Sequence, residues 1–528
     1  MHNRTFSDTL LLYANRRVAS IFVLGIASGL PWVIIGSSLT LWLKEAGISR
    51  SEIGFAGLIF TAYAANFLWS PLVDQLKIPA LQKLGQRKSW LLACQLVLVG
   101  SCVLMSLCDP ASNAKQLVLF GLMVAMASAT QDIAIDAYRV DSFAPQEREY
   151  ISAAAGAATA GWWTGYAGLG YIPLMLSDLN WSWPELFLLL AAMCAAACAI
   201  AMFGPKPQYS GNANQQELYS GYLNKVSHCN QSNKLQLTAY LLLPFLAIAW
   251  TVAGSPGLPA SITDSPRYIW LSVCVIVTLI TTAGIKVAAL DKGATQQLQP
   301  SALDKPLAWL LLSLAAPLRD FVMRNGLQVA CAIFSFILLF KVGEAFLGRM
   351  SIVFYKEVGF SNTDIANYSK MLTWVVTIVC SLAGGIVNAH FGLIRGLVVS
   401  GCAMALTNLM FAWIALAGPE IPLYVATIIL DGFAQAWSTV AFASFIALLC
   451  NHNFSATQYA LLVSIGNLGR TTLSSFSGQA VDWLNGNWPL FFVLTTLMVI
   501  PSLLILRWLS RNLPDVGQHG SRASSKGA

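Results

Sequence analysis

The sequence predicts an all-α polytopic membrane protein, with two six-helix bundles plus two inserted central helices and about fourteen spans in all. Three observations predict it. Hydrophobic residues make up 56% of the 528 positions and charged residues only 10%, against roughly a quarter charged in a soluble domain. Apolar runs long enough to cross a hydrocarbon core, which takes roughly 20 residues each, follow one another along the whole chain. A short pattern also occurs twice, at equivalent places in the two halves of that series.

Taken in order, spans are predicted near 18–42, 54–73, 89–107, 115–138, 152–174, 185–204, 237–254, 268–289, 328–354, 366–389, 396–417, 422–449, 457–481 and 488–508. An even number returns both termini to one side. Positive charge is retained in the cytoplasm. Of the 31 Lys and Arg residues, the loops on the opposite side hold only Lys44, Arg50, Lys115, Arg267, Lys356 and Lys370. Both termini are therefore expected to be cytoplasmic. The net charge of +7 follows from the same rule and is no sign of nucleic-acid binding. The first apolar run is too long for a cleavable signal and no small-residue cleavage site follows it, so the first helix is expected to be retained. The 11 cysteines lie mostly within predicted helices and show no Cys-x-x-Cys spacing, which argues against a zinc site or a disulfide framework. No metal or cofactor is expected.

The repeated pattern is Lys44-Glu45-x-Gly47-x-Ser49-x-x-Glu52-Ile53, which returns as Lys356-Glu357-x-Gly359-x-Ser361-x-x-Asp364-Ile365 at one offset of 312 residues. Each copy joins a long apolar run to the next. The Ser-x-x-acid spacing suits a capping box opening the following helix. The match implies a duplicated bundle, a known plan of secondary transporters. The expected domains are a six-helix bundle over 1–204, a cytoplasmic linker over 205–236, two extra helices and an interfacial segment over 237–327, a second bundle over 328–510, and a disordered tail over 511–528. Within 237–327, the run from Pro306 to Pro317 is too short to span and is expected along the interface.

Charges inside spans are costly and call for a partner, a wet cavity or a function. The deepest are Asp132 and Asp136 in the fourth span, Lys341, Glu344 and Arg349 in the ninth, Asp431 in the twelfth and Arg470 in the thirteenth. Lys341 and Glu344 are three residues apart and share a helix face. A lysine there can neutralise a carboxylate or compete with a proton for it. Glu344 is the leading proton-coupling candidate, with Lys341 as its partner and Asp431 second; a static buried ion pair is the competing reading. Asp132, Asp136 and Arg139 fall on one face near the cytoplasmic end of the fourth span. Asp136 and Arg139, with Asp74 and Arg87, are gate candidates. Gly29, Gln131, Asp132, Arg470 and Trp437 are candidates for touching a polar solute. Helix 1 carries Gly25, Gly29 and Pro31, where a bend or close packing is expected. Ala157, Gly161 and Gly165 form a small-residue face on the fifth span. Trp162, Trp163, Trp374 and Trp437 can stack on sugar rings or serve as packing residues.

Four stretches resemble the AmpG-type anhydromuropeptide permeases of the major facilitator superfamily: Ser37 to Gly47, Phe67 to Asp74, Ser128 to Arg139 and Phe454 to Leu462. In that architecture the first, fourth, seventh and tenth of twelve helices line a central cavity, which would include the charged fourth, ninth and twelfth spans once the inserted pair is set aside. The superfamily signature after the second helix is present in stretched form, with Asp74 parted from Gly85-Gln86-Arg87-Lys88. Glu344 and Asp431 stand where family members carry Asp and Glu, so acid is kept and its length changed. The resemblance implies proton-driven import of GlcNAc-1,6-anhydroMurNAc and its peptides from the periplasm across the bacterial inner membrane. That step belongs to peptidoglycan recycling and feeds β-lactamase induction. An acetyl-CoA or drug transporter of the same fold is the alternative. An ATP-driven pump is excluded by the lack of a Gly-x-x-x-x-Gly-Lys loop, and the His-poor spans without paired ligand motifs argue against an enzyme.

Overall fold

The computed structural model describes residues 11–48, 57–60, 62–63, 66–144, 146–208, 212–239, 301, 304–361, 364, 368, 371–474 and 476–513. Helices and turns account for the described residues, with no strand among them. The chain divides into two units, one of Met1–Val73, Lys77–Tyr209 and Gln328–Ala528, the other of Asp74–Leu76 and Ser210–Leu327.

In the first unit, α1 (Arg16–Trp32) opens at Asn15, whose side-chain oxygen accepts the Arg17 N–H at 2.8 Å, a standard way to satisfy an orphan helix donor. Pro31 lacks an N–H and loosens the ladder. A π turn, Val33–Ser38, follows at once, and Leu39–Glu45 completes the span. Then come α2 (Gln86–Ser106), α3 (Pro110–Asp141), α4 (Arg148–Trp163) and α5 (Trp183–Met202). A second π turn, Thr164–Leu169, extends α4. The later half holds α6 (Leu327–Leu339), α7 (Val342–Val358), α8 (Thr373–Phe391), α9 (Leu393–Ala417), α10 (Ile421–Leu449), α11 (Ser455–Ser474), α12 (Trp488–Leu497) and α13 (Ile500–Asn512).

Among the described residues, 9 helical stretches are long and apolar enough to cross a membrane, or 10 if one bent pair counts as a span. The expectation of about fourteen is corrected accordingly. The expected span at 54–73 is described only as short turns, Gly57–Phe60 and Asn66–Leu68, and the helix Ser70–Gln75. The one at 152–174 is described as Arg148–Trp163, the π turn Thr164–Leu169 and, after a turn at Gly170, the short helix Tyr171–Asp178, a stretch rich in Gly, Ala, Thr and aromatic residues. The one at 457–481 breaks between Ser474 and Ser477, and its first part is rich in Ser, Thr, Asn and Gln. The pair at 237–254 and 268–289 lies outside the described residues, apart from 237–239. Leu119, Leu188, Ile200, Val379, Leu406, Trp413 and Leu504 are exposed on the spans, which suits hydrocarbon as the surrounding medium.

Glycine sets the tightest contacts. A Cβ on Gly25 or Gly29 would come within 2.6 Å of the Ala158 carbonyl oxygen or 2.2 Å of the Trp162 one; on Gly161 or Gly165 it would meet the Phe22 and Ile26 carbonyls at 2.2 and 2.3 Å. The small-residue faces of α1 and α4 thus lie on each other, backbone to backbone. Gly156 on α4 likewise faces the Ser381 carbonyl of α8, which joins the two halves of the chain.

The repeat acquires a structural meaning. Gly47 and Gly359 both adopt positive φ, +79° and +109°, which only glycine enters cheaply. The Ser361 side chain accepts the Asp364 N–H and Asp364 accepts the Ser361 N–H, each at 3.0 Å, completing the second capping box; Ser49 and Glu52 of the first lie outside the described residues. Glu45 accepts the indole N–H of Trp183 at 2.5 Å, and Glu357 accepts that of Trp488 at 2.7 Å. Each half therefore ties the end of the helix that carries its copy of the repeat to the start of a later helix, α5 in one half and α12 in the other, by the same pair of residue types.

In the second unit, the stretch expected as a cytoplasmic linker holds a helix, Asn212–Ser227. The run expected to be a short interfacial segment is a longer bent pair, Asp304–Ser313 and Ala316–Asn325, set at 46°. Pro317 does not stop it, because it stands in the first turn of the second piece, where its missing N–H costs nothing. Asp304 is held by the Lys234 ammonium at 2.5 Å.

Candidate functional site

Buried charge collects in the later half of the first unit. α6 stops at Leu339 and α7 starts at Val342, so the single helix expected at 328–354 is broken where Lys341 stands. The Lys341 ammonium donates to the Glu344 carboxylate, to Ser438 Oγ at 2.6 Å and to Thr439 Oγ1 at 3.1 Å. Lys341 and Glu344 are each 8% exposed. The Arg470 guanidinium on α11 lies 3.9 Å from the other Glu344 oxygen and is itself largely exposed. Asp431 on α10 accepts Thr407 Oγ1 at 2.8 Å and Gln435 Nε2 at 2.6 Å. Its partners among the described residues are neutral. Gln435 lies one turn from the Ser438 and Thr439 that hold Lys341, and both hydroxyls donate to its carbonyl, at 3.0 and 2.8 Å.

The earlier half carries a second polar group. Asp132 accepts the Ser28 hydroxyl at 2.6 Å across α1 and α3. Gln131, fully buried, donates to the Ala27 carbonyl at 2.9 Å and accepts from Gln95 Nε2 at 2.5 Å. Among the described residues no hydrogen bond or ion pair joins this group to the Lys341 group.

At the end of the first unit where the chain enters α1, a third network crosses between its halves. Arg87 pairs with Asp141 at 2.9 Å and donates to the Val73 carbonyl at 3.1 Å and to Ser455 Oγ at 2.8 Å. Arg139 pairs with Asp136 at 3.0 Å, donates to the Tyr459 hydroxyl and lies 5.0 Å from that ring's centre. Three of the four gate candidates, Arg87, Asp136 and Arg139, therefore meet partners here. The fourth, Asp74, is buried and falls in the second unit.

Two candidates for solute contact also make contacts between helices. Gly29 is closed over by the Trp162 backbone. Trp437 is 8% exposed, donates to Asn388 Oδ1 at 2.8 Å and packs on Phe433. Both occupy helix contacts, a feature that residue type alone does not reveal on an all-apolar helix. Arg349's backbone lies in α7. Sequence spacing did not reveal Ser28, Thr407 or Gln435 as carboxylate partners, since Ser28 and Thr407 come from other helices and Gln435 is an ordinary polar residue one turn along. Ser455 and Tyr459 did carry a signal, as both stand in the Phe454 to Leu462 stretch of the resemblance.

Duplicated helical halves, an apolar exterior and opposite charges buried within the spans define a polytopic transporter. The Major Facilitator Superfamily model matches residues 21–417, and the chain belongs to that superfamily. It is 29% identical over 503 residues to a Rickettsia felis protein carrying the name transporter AmpG 4, covering 95% of this chain and 98% of that one. It is 26% identical over 501 residues to the anhydromuropeptide permease of Escherichia coli K12, covering 95% and 81%. Among solved structures, the human organic anion transporter MFSD10 shares the fold at TM-score 0.55 with 16% identity, over 93% of this chain and 99% of that one. The proton:xylose symporter XylE does so at 0.54 with 12% identity, over 96% of each.

Proposed function

We propose that the protein is a proton-coupled importer of anhydromuropeptides, carrying GlcNAc-1,6-anhydroMurNAc and its peptides from periplasm to cytoplasm across the bacterial inner membrane, with both termini cytoplasmic. The observation that carries this reading is the buried Lys341–Glu344 pair with Asp431 alongside. Charge so placed is expensive unless it is used. Protonation of Glu344 removes the negative partner of Lys341, whose ammonium then turns, along Ser438 and Thr439, toward Asp431. The cation is thereby exchanged between two carboxylates, and the proton taken up by Glu344 is released on the cytoplasmic side when Lys341 returns to it, so that proton and substrate move in the same direction. The names of the relatives support the substrate class. On this reading Arg87, Asp136 and Arg139 close the cytoplasmic end through Ser455 and Tyr459, and the 1–204 and 328–510 halves rock about the site.

Uptake of labelled anhydromuropeptide into right-side-out vesicles, with and without a protonophore, tests it. Protonophore-sensitive accumulation that Glu344→Gln abolishes is the expected result. Unchanged accumulation in Glu344→Gln removes Glu344 from coupling. No uptake by folded wild type redirects the substrate question to acetyl-CoA or drug-like solutes.

A further inference from the structure

Half-buried aromatic rings gather in the earlier half. Trp32 ends α1, Phe60 and Tyr63 come from the segment after it, Trp162 lies at the end of α4 and Tyr166 in its π turn. The Trp32 ring centre lies 4.6 Å from Tyr63, 5.2 Å from Phe60 and 5.9 Å from Trp162, and Trp162 is 5.0 Å from Tyr166. In the later half, by contrast, Phe354, Tyr424 and Phe492 are completely shut in. The earlier cluster therefore still presents ring surface.

The backbone is also special there. One π turn starts directly after Trp32 and the other directly after Trp163. Such turns are rare, widen the helix by one residue and concentrate at functional sites. Here two of them follow the Gly29–Trp162 contact on neighbouring helices.

Polar groups sit beside the rings. Ser28, one turn before Trp32 on the same face, holds one oxygen of Asp132, and the other Asp132 oxygen accepts no hydrogen bond among the described residues. Trp374 on α8 lays its ring 3.0 Å from where a Gly168 Cβ would be, and its buried indole N–H has no partner among the described residues. A lipid-facing position would not place a carboxylate here. A purely apolar ligand would leave Asp132 and Trp374 unmet. A pyranose ring meets both demands, since its C–H faces pack on aromatic rings while its rim of hydroxyls donates to a carboxylate and accepts from an indole.

We propose that Trp32, Tyr63, Trp162 and Tyr166 form a sugar subsite that stacks a pyranose ring of the transported substrate, with Asp132 receiving its hydroxyls. This rests on the anhydromuropeptide reading above and places the disaccharide in the earlier half. The peptide is left to the charged residues of the later half.

The test measures binding of peptide-free GlcNAc-1,6-anhydroMurNAc, and of the peptide alone, to the purified full-length protein by intrinsic tryptophan fluorescence. The disaccharide is expected to shift the emission. Trp32→Leu and Trp162→Leu are expected to weaken its affinity about tenfold, and Trp32→Tyr, which keeps an aromatic face, to restore most of it. Wild-type affinity in both leucine variants overturns the subsite while leaving muropeptide uptake, measured in vesicles, intact. Should the leucine variants fail to fold, oxidation of the wild type by N-bromosuccinimide decides: disaccharide protection of Trp32 and Trp162, mapped by mass spectrometry, supports the subsite, and equal oxidation overturns it. If the wild type neither binds nor accumulates muropeptide, the transport reading fails by itself. Free N-acetylglucosamine is then the probe, its protection of the two tryptophans keeping the subsite and lack of protection removing it.

Discussion

Lys341 donates to Glu344, Ser438 and Thr439 at once, and an ammonium has three N–H donors. Its capacity is filled by one charged and two neutral oxygens. Replacing it leaves Glu344 only the largely exposed Arg470 guanidinium at 3.9 Å, and breaking a buried pair from one side costs up to about 3–5 kcal/mol. Lys341→Met is therefore expected to lower the thermal unfolding temperature of the detergent-solubilised protein, and the double variant Lys341→Met/Glu344→Gln to recover much of the loss without recovering transport. A double variant no more stable than the single one would show that the pair is not the source of the cost. Tyr459 offers a milder probe. Tyr459→Phe takes an acceptor from Arg139 but leaves the ring beneath it, and is expected to cost about 1–3 kcal/mol, with transport altered through the contact between halves.

Between α1 and α4 the controlling quantity is backbone separation. A methyl group on Gly29 would sit 2.2 Å from the Trp162 carbonyl oxygen, an atom that cannot turn aside without moving its helix. Gly29→Ala is expected to destabilise by about 1–3 kcal/mol. Gly100 on α2 has nothing within 4 Å of the same point, so Gly100→Ala is expected to be neutral or to stabilise by up to about 1 kcal/mol. Paired thermal melts settle the contrast, and equal shifts would count against the packing account. The carboxylate–indole clasps act at this scale as well. Glu45→Gln weakens a charge-assisted hydrogen bond, and a double-mutant cycle with Trp183→Phe is expected to return a coupling of about 1.5–3 kcal/mol. The same cycle on Glu357 and Trp488 should match it, the two clasps being alike in geometry.

At the level of the whole protein, the long apolar runs made the all-α membrane class legible, and the 312-residue offset made the duplication legible. Interruptions were harder to foresee. Hydropathy averages over a window, so it joined α6 to α7 across Lys341 and did not register the π turns after Trp32 and Trp163, where composition hardly changes. Partners were legible only within one helix, as for Lys341 and Glu344 or Asp136 and Arg139. Ser28 with Asp132, Thr407 with Asp431, and Arg87 with Ser455 come from distant parts of the chain, and no local spacing encodes them. Orientation in the bilayer is a separate matter, which the Lys and Arg distribution addresses. Reporter fusions at residues 1 and 528 are expected to be active on the cytoplasmic side together; activity of both outside would reverse the topology, and a split result would rule out an even number of spans.

The two clasps also bear on the order in which the protein is made. Glu45 waits for Trp183, and Glu357 for Trp488; neither waits for a residue of the other half. Synthesis runs from the amino terminus at about 5–20 residues per second, so the first ring of helices can be sealed while the second is still on the ribosome. Each half is thus closed by its own clasp, and Gly156, Arg87 and Arg139 are what one finished half offers the other.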